Sequence, residues 1–124
     1  MIGEIRKIRT PFYNAKTRQM DMKSRPGLII AQADECDYVV LPVSRVTDSR
    51  RIDAVYDIKI DPAVYPVLSL TSVSYVRTHK QTVIHAAEIG DRISDMRSCC
   101  EDLYLHVLSM RAQFNEEITS QAIA

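Results

Sequence analysis

The chain has 124 residues, with no tryptophan, only two phenylalanines and only three glycines. So few glycines leave no glycine-rich phosphate loop, and there is no G-x-S-x-G elbow or paired Cys/His site. The three cysteines, Cys36, Cys99 and Cys100, match neither a disulfide framework nor a metal spacing. They read as reduced thiols in a cytoplasmic protein, with buried structural roles. His79, His85 and His106 are scattered without metal-ligand spacing, so no metal and no cofactor is expected. No apolar run approaches the ~20 residues that span a bilayer, and no membrane partner is expected. The opening "MIGEIRKIR" carries charge where a secretory leader needs an apolar core, so export is not expected either.

Net charge is lacking too, with 16 basic and 16 acidic residues, but the two signs are separated. Residues 1–25 hold Arg6, Lys7, Arg9, Lys16, Arg18, Lys23 and Arg25 against Glu4 and Asp21, a surplus of five. Residues 84–124 hold seven acids against Arg92, Arg97 and Arg111, a deficit of four. A polyanion responds to the local field, not to the sum. Charge alone equally allows an ordinary solvated loop.

At this length one domain over residues 1–124 is the expectation, and 46% hydrophobic residues suffice for a core. "GEIRKIR" reads as a first strand, and residues 10–24, without either period, as a long loop or flexible hairpin connection. "GLIIAQ" is a continuous apolar run of strand length, with Pro26 at its first position. "YVVLPVSRV" is another buried strand, in which Pro42 predicts an edge or a bulge. "AVYDIKID" alternates as a half-buried strand, and "PAVYPVLSLTS" is too proline-punctuated for a long helix. "VSYVRTH" and "QTVIHAAEIG" read as one further β segment that turns near Lys80 and ends at Gly90.

From Ser94 the period changes. Ile93, Met96, Cys100, Leu103, Val107, Leu108, Met110, Phe114 and Ile118 recur at spacings that place them along one helical stripe. Ser94 is the expected N-cap, with Asp95 in the first turn, of an amphipathic helix of roughly 25 residues. Strands followed by one helix predict a mostly β fold, a small barrel with a helical lid. The helix and the segment 64–73 would leave apolar surface for a second copy, hence a homodimer.

The candidate chemistry lies at strand ends. Arg25 opens the second strand, Ser44 and Arg45 close the third, and Arg77 and Thr78 lie in "SYVRTH". A guanidinium forks onto phosphate with two hydrogen bonds, and a neighbouring hydroxyl can donate to a developing phosphorane oxygen. Together they can stabilise an RNA 2′-hydroxyl attacking its own phosphate, without a metal. Solvated surface arginines are the plainer reading of the same residues.

The ordered set "GEI" (3–5), "KSRPGLII" (23–30), "VVLPVS" (39–44), "YVRTH" (75–79) and "IGDRIS" (89–94) resembles the MazF/PemK (Kid-like) toxin family of type II toxin–antitoxin systems. The resemblance spans nearly the whole chain. It implies an SH3-like β-barrel with a C-terminal helix, forming a homodimer. It also implies a metal-independent endoribonuclease that cuts single-stranded RNA at short sequences, an mRNA interferase neutralised by a cognate antitoxin. Arg25 of the R-P motif and Ser44, at a position usually threonine, would be catalytic. Lys16, Arg18, Lys23, Arg45, Ser74, Arg77, Thr78 and His79 would contact substrate, with the loop 10–24 over the RNA. Many members carry an acid where this chain has Ser74; Ser74 itself, Tyr75, His79 and Asp48 are the replacements in reach. The same departure fits an inactive relative that kept its binding surface, and the related CcdB toxins bind DNA gyrase on such a barrel.

Overall fold

The computed structural model describes residues 1–124. Seven strands form one curled antiparallel sheet: β1 (Glu4–Asn14), β2 (Gln19–Gln32), β3 (Asp37–Ser44), β4 (Asp57–Ile60), β5 (Ser74–Arg77), β6 (Thr82–His85) and β7 (Ile89–Asp95). The order is β4-β5-β3-β2-β1-β7, with β6 also on β3. Two helices follow, α1 (Met96–Cys99) and α2 (Glu101–Ile123). The sheet does not close on itself; the helices cover its inner face, as the expected small barrel with a helical lid.

Strand alternation sets both faces. Ile5, Leu28, Leu41, Val43, Ile60 and Val76 point inward and join Leu68, Met96, Leu103, Tyr104 and Val107 in the main core. A second, smaller cluster of Ile8, Ile29 and Val40 lies on the outer face. Gly27 sits beneath it. A Cβ there would meet Ile8 Cγ1 and Val40 Cγ1, each at 2.7 Å, so only glycine lets those two side chains close over the strand.

β3 has the most demanding position. One edge pairs with β2, while the other is divided between β6, opposite 37–40, and β5, opposite 43–44. Pro42, which has no N–H to pair, falls in the gap between those two partners. The proline therefore marks a change of partner within a central strand, where an edge position or a bulge was the expectation; the β2 register through Pro42 is regular. Pro26 likewise lies inside β2, where the β3 pairing has not yet begun.

Of the two readings of residues 10–24, the structure shows the hairpin, not the long loop. β1 and β2 pair continuously from Ile5↔Leu28 to Asn14↔Gln19, so the segment is a two-stranded ribbon running beyond the sheet. Its turn is fixed by Arg18 in the left-handed region (φ 55°), whose N–H donates to the Asn14 carbonyl at 2.8 Å. No third strand covers the ribbon, so no buried face imposed an alternating pattern on the sequence.

Three further expectations change. β6 and β7 are separate strands on different partners, and Gly90 lies within β7. Ser94 lies within β7, and Asp95, the last residue of that strand, is the N-cap, its carboxylate accepting from the Ser98 N–H at 3.0 Å. Cys100 breaks the helix (φ −140°, ψ 62°), so Met96 on one side and Leu103 and Val107 on the other all reach the core. Ile118 falls off the buried stripe and is 48% exposed. Cys36 and Cys99 are exposed and Cys100 half-buried, against the expectation of buried thiols. No helix is long and apolar enough to cross a membrane.

Gly27→Ala must displace Ile8 and Val40, and is expected to lower stability by about 1–3 kcal/mol in urea unfolding. An unchanged midpoint would show that the two side chains yield freely.

Candidate functional site

Two adjoining cavities, of about 270 and 380 Å³, are both lined by Arg25, Pro26 and Ser44. The first opens on the outer face, and the second reaches the core-facing Val43, Leu70 and Ser74. The first also has Thr10, Phe12, Gly27, Val40, Pro42 and Thr82; the second has Lys23, Arg45, Thr47, Ser72 and Ser74. Val43 points into the core, so its neighbour Ser44 faces outward. Continuing the Gly27↔Pro42 register two residues further sets Arg25 opposite Ser44. The sheet thus brings the two candidate catalytic residues together from positions 19 apart in sequence.

The electrostatics are one-sided. Lys23, Arg25 and Arg45 supply positive charge, and the lining of both cavities includes no carboxylate and no histidine. Arg25 is exposed, and neither its guanidinium nor the Ser44 hydroxyl makes a hydrogen bond or ion pair within the chain. Such a surface suits phosphate: forked donors, hydroxyls, and no like charge to repel it.

The other expected substrate contacts lie elsewhere. Lys16 and Arg18 sit at the ribbon tip, with Arg18 roughly 23 Å of extended strand from Arg25. Arg77 is held by Asp57, with Nε to Oδ1 at 3.1 Å and Nη2 to Oδ2 at 3.3 Å, and its Nη2 also donates to the Arg51 carbonyl at 3.0 Å. The Thr78 hydroxyl is buried and donates to the Tyr56 carbonyl at 2.6 Å. The His79 ring packs against Tyr56 and Phe114, its Nδ1 3.7 Å from Asp57 Oδ1. Around them Arg50, Arg51, Asp53, Arg77, His79 and Lys80 line a separate concavity.

That second cluster is built for structure. Asp53 accepts from the Tyr56 and Val55 N–H groups, which hold its carboxyl below the usual range. The Tyr56 hydroxyl donates to Glu117, which raises the phenol and ties α2 to the barrel. Asp48 is engaged by Arg50 through Nε at 3.1 Å and Nη2 at 3.0 Å, and is absent from the Arg25 cavities. Of the replacements for the family's acid, only Ser74 lines them. Thr10 and Phe12, within the segment expected over the RNA, also line the groove, as does Thr82, which was not among the expected contacts. Thr82 enters through β6–β3 pairing, which reading 74–90 as one segment hides.

The arrangement is a cationic, acid-free groove on a small helix-lidded β-barrel. No protein-family model and no curated protein sequence matches the chain. Solved structures do. The Mycobacterium tuberculosis toxin MazF-mt6 superposes with a TM-score of 0.65 at 14% identity, covering 91% of this chain and 96% of that one. An endoribonuclease from a mycobacterial species, solved with its cognate antitoxin, gives 0.61 at 14% identity over 94% of each chain. A further Mtb toxin gives 0.56 at 16% identity, over 85% of this chain and 99% of its own. The chain has the fold of the MazF toxins.

The two arginines separate cleanly. Arg77→Ala leaves the Asp57 carboxylate buried without its partner and is expected to cost about 3 kcal/mol of stability. Arg25→Ala, which removes a free guanidinium, should stay within about 0.5 kcal/mol in the same urea titration. Equal losses would contradict the division.

Proposed function

We propose that this chain, as one domain over 1–124, is the toxin of a type II toxin–antitoxin pair and a metal-independent endoribonuclease acting on single-stranded RNA. The observation that carries this reading is the unpartnered Arg25 beside Ser44, in a groove whose lining includes three cations and no acid, on the MazF fold.

In the proposed step the 2′-oxygen attacks the adjacent phosphorus and the P–O5′ bond breaks. The products are a 2′,3′-cyclic phosphate and a 5′-hydroxyl. Arg25 binds two phosphate oxygens and the Ser44 hydroxyl donates to a third as negative charge grows. The 2′ proton leaves to water and the departing 5′-oxygen takes one from water, since neither carboxylate nor imidazole lines the groove. Electrostatic stabilisation thus carries the catalysis, and the missing acid at Ser74 implies a modest rate.

A cognate antitoxin would compete for the same cationic groove, as the antitoxin-bound neighbour suggests by analogy. A homodimer would cover Val64, Val67 and Val73, which stand 65%, 51% and 39% exposed on the monomer.

The test is a long, labelled single-stranded RNA incubated with the protein in EDTA, beside Arg25→Ala. Wild type should give discrete fragments ending in 2′,3′-cyclic phosphate, and Arg25→Ala should be slower by about 100-fold or more. Equal cleavage by both would remove Arg25 from the chemistry. Several long RNAs left intact by wild type would leave a binding protein without nuclease activity.

A further inference from the structure

The outer face of the sheet carries two neighbouring rows of side chains with opposite character. Val76 and Ile60 point into the core, so Tyr75 and Arg77 on β5, and Lys59 and Asp57 on β4, point outward. Register aligns them. Ser44 pairs with Tyr75, and Tyr75 with Lys59, so one row runs Arg25–Ser44–Tyr75–Lys59 across β2, β3, β5 and β4. The next runs Gly27–Pro42–Arg77–Asp57.

The second row is engaged internally, through the Arg77–Asp57 ion pair and the Arg77 bond to the Arg51 carbonyl. In the first, no side chain makes a hydrogen bond or ion pair with the rest of the chain. Lys59 is exposed and Tyr75 half-buried, its ring fixed in the sheet with a free hydroxyl. A half-buried tyrosine between free cations on one sheet face is the pattern on which single-stranded nucleic acid lies, bases stacked on the ring and phosphates on the cations.

We infer that the RNA groove continues past Ser44: Tyr75 is a base-stacking platform and Lys59 the next phosphate contact. This rests on the ribonuclease reading, and is supported by charge complementarity and by strand register. That register carries the row on from Ser44 beyond the Arg25 cavities, whose lining includes neither Tyr75 nor Lys59. The row spans three strand spacings, about 14 Å, enough for a few nucleotides. Arg77, the cation that the sequence motif favours, lies one row away and is already neutralised. Lys59 takes the place of Arg77 as the phosphate contact.

The experiment uses a short random-sequence single-stranded RNA pool, 2′-O-methylated throughout so that it cannot be cleaved, with binding read by fluorescence anisotropy over a salt series. Tyr75→Ala should weaken binding about 10-fold, and Tyr75→Phe should restore it. Lys59→Gln should reduce the slope of log K against log salt by about 0.7, the single-strand value for one phosphate contact. Lys80→Gln, in the separate concavity, should match wild type in both. If Arg25→Ala weakens binding while Tyr75→Ala and Lys59→Gln match wild type, the extended track is wrong and the ribonuclease reading stands. If wild type does not bind the pool, both are overturned. Melting curves on each variant separate lost binding from lost fold.

Discussion

The structure turns on one strand that serves three partners. β3 must hold β2 from Tyr38 to Pro42 on one side and hand over from β6 to β5 on the other. Paired N–H groups along that side would ask for a single continuous partner. Pro42 interrupts them at the handover without leaving a donor unsatisfied. The handover curls the sheet and creates a concavity at the point where β2 leaves β3. Arg25 from β2, Ser44 from β3 and Thr82 from β6 meet there. Gly27 is the matching concession on β2, a missing Cβ that lets Ile8 and Val40 form the floor.

Charge is then sorted by strand pairing. Asp48, Asp53 and Asp57 are consumed by cations or by backbone N–H groups around the loop 48–57. The groove near Arg25 receives none of them. A net-neutral chain therefore presents a locally cationic cleft, because none of its acids lines the two cavities at Arg25. Arginines alike in sequence have opposite duties. Arg77 neutralises a buried carboxylate and holds the loop to β5, whereas Arg25 is left open to a ligand.

Much of this was legible in the sequence. Continuous apolar runs gave the central strands, because both faces of β2 and β3 meet packed side chains. The change of period near residue 94 gave the helix, because only one of its faces meets the core. Arg25 of the R-P motif and Ser44 at the end of β3 marked the candidate site, although Arg25 lies midway along β2 and not at a strand entrance. The remainder depended on pairing. The sequence left residues 10–24 open between a loop and a hairpin, because the ribbon's stability comes from cross-strand bonds, with no buried face to impose a period. β7 was missed because Gly90, Asp91 and Arg92 break its alternation. Arg77 was misread because its partner Asp57 is 20 residues away and adjacent only through β4–β5 register. Tyr75 and Lys59 gained meaning only once that register aligned them with Arg25.

The most direct test is an amide chemical-shift map on addition of the non-cleavable RNA. The account predicts shifts at Arg25, Gly27, Ser44 and Thr82, with Thr78 to Lys80 unmoved. Shifts confined to Arg51, Arg77 and Lys80 would place the ligand in the other concavity and contradict it.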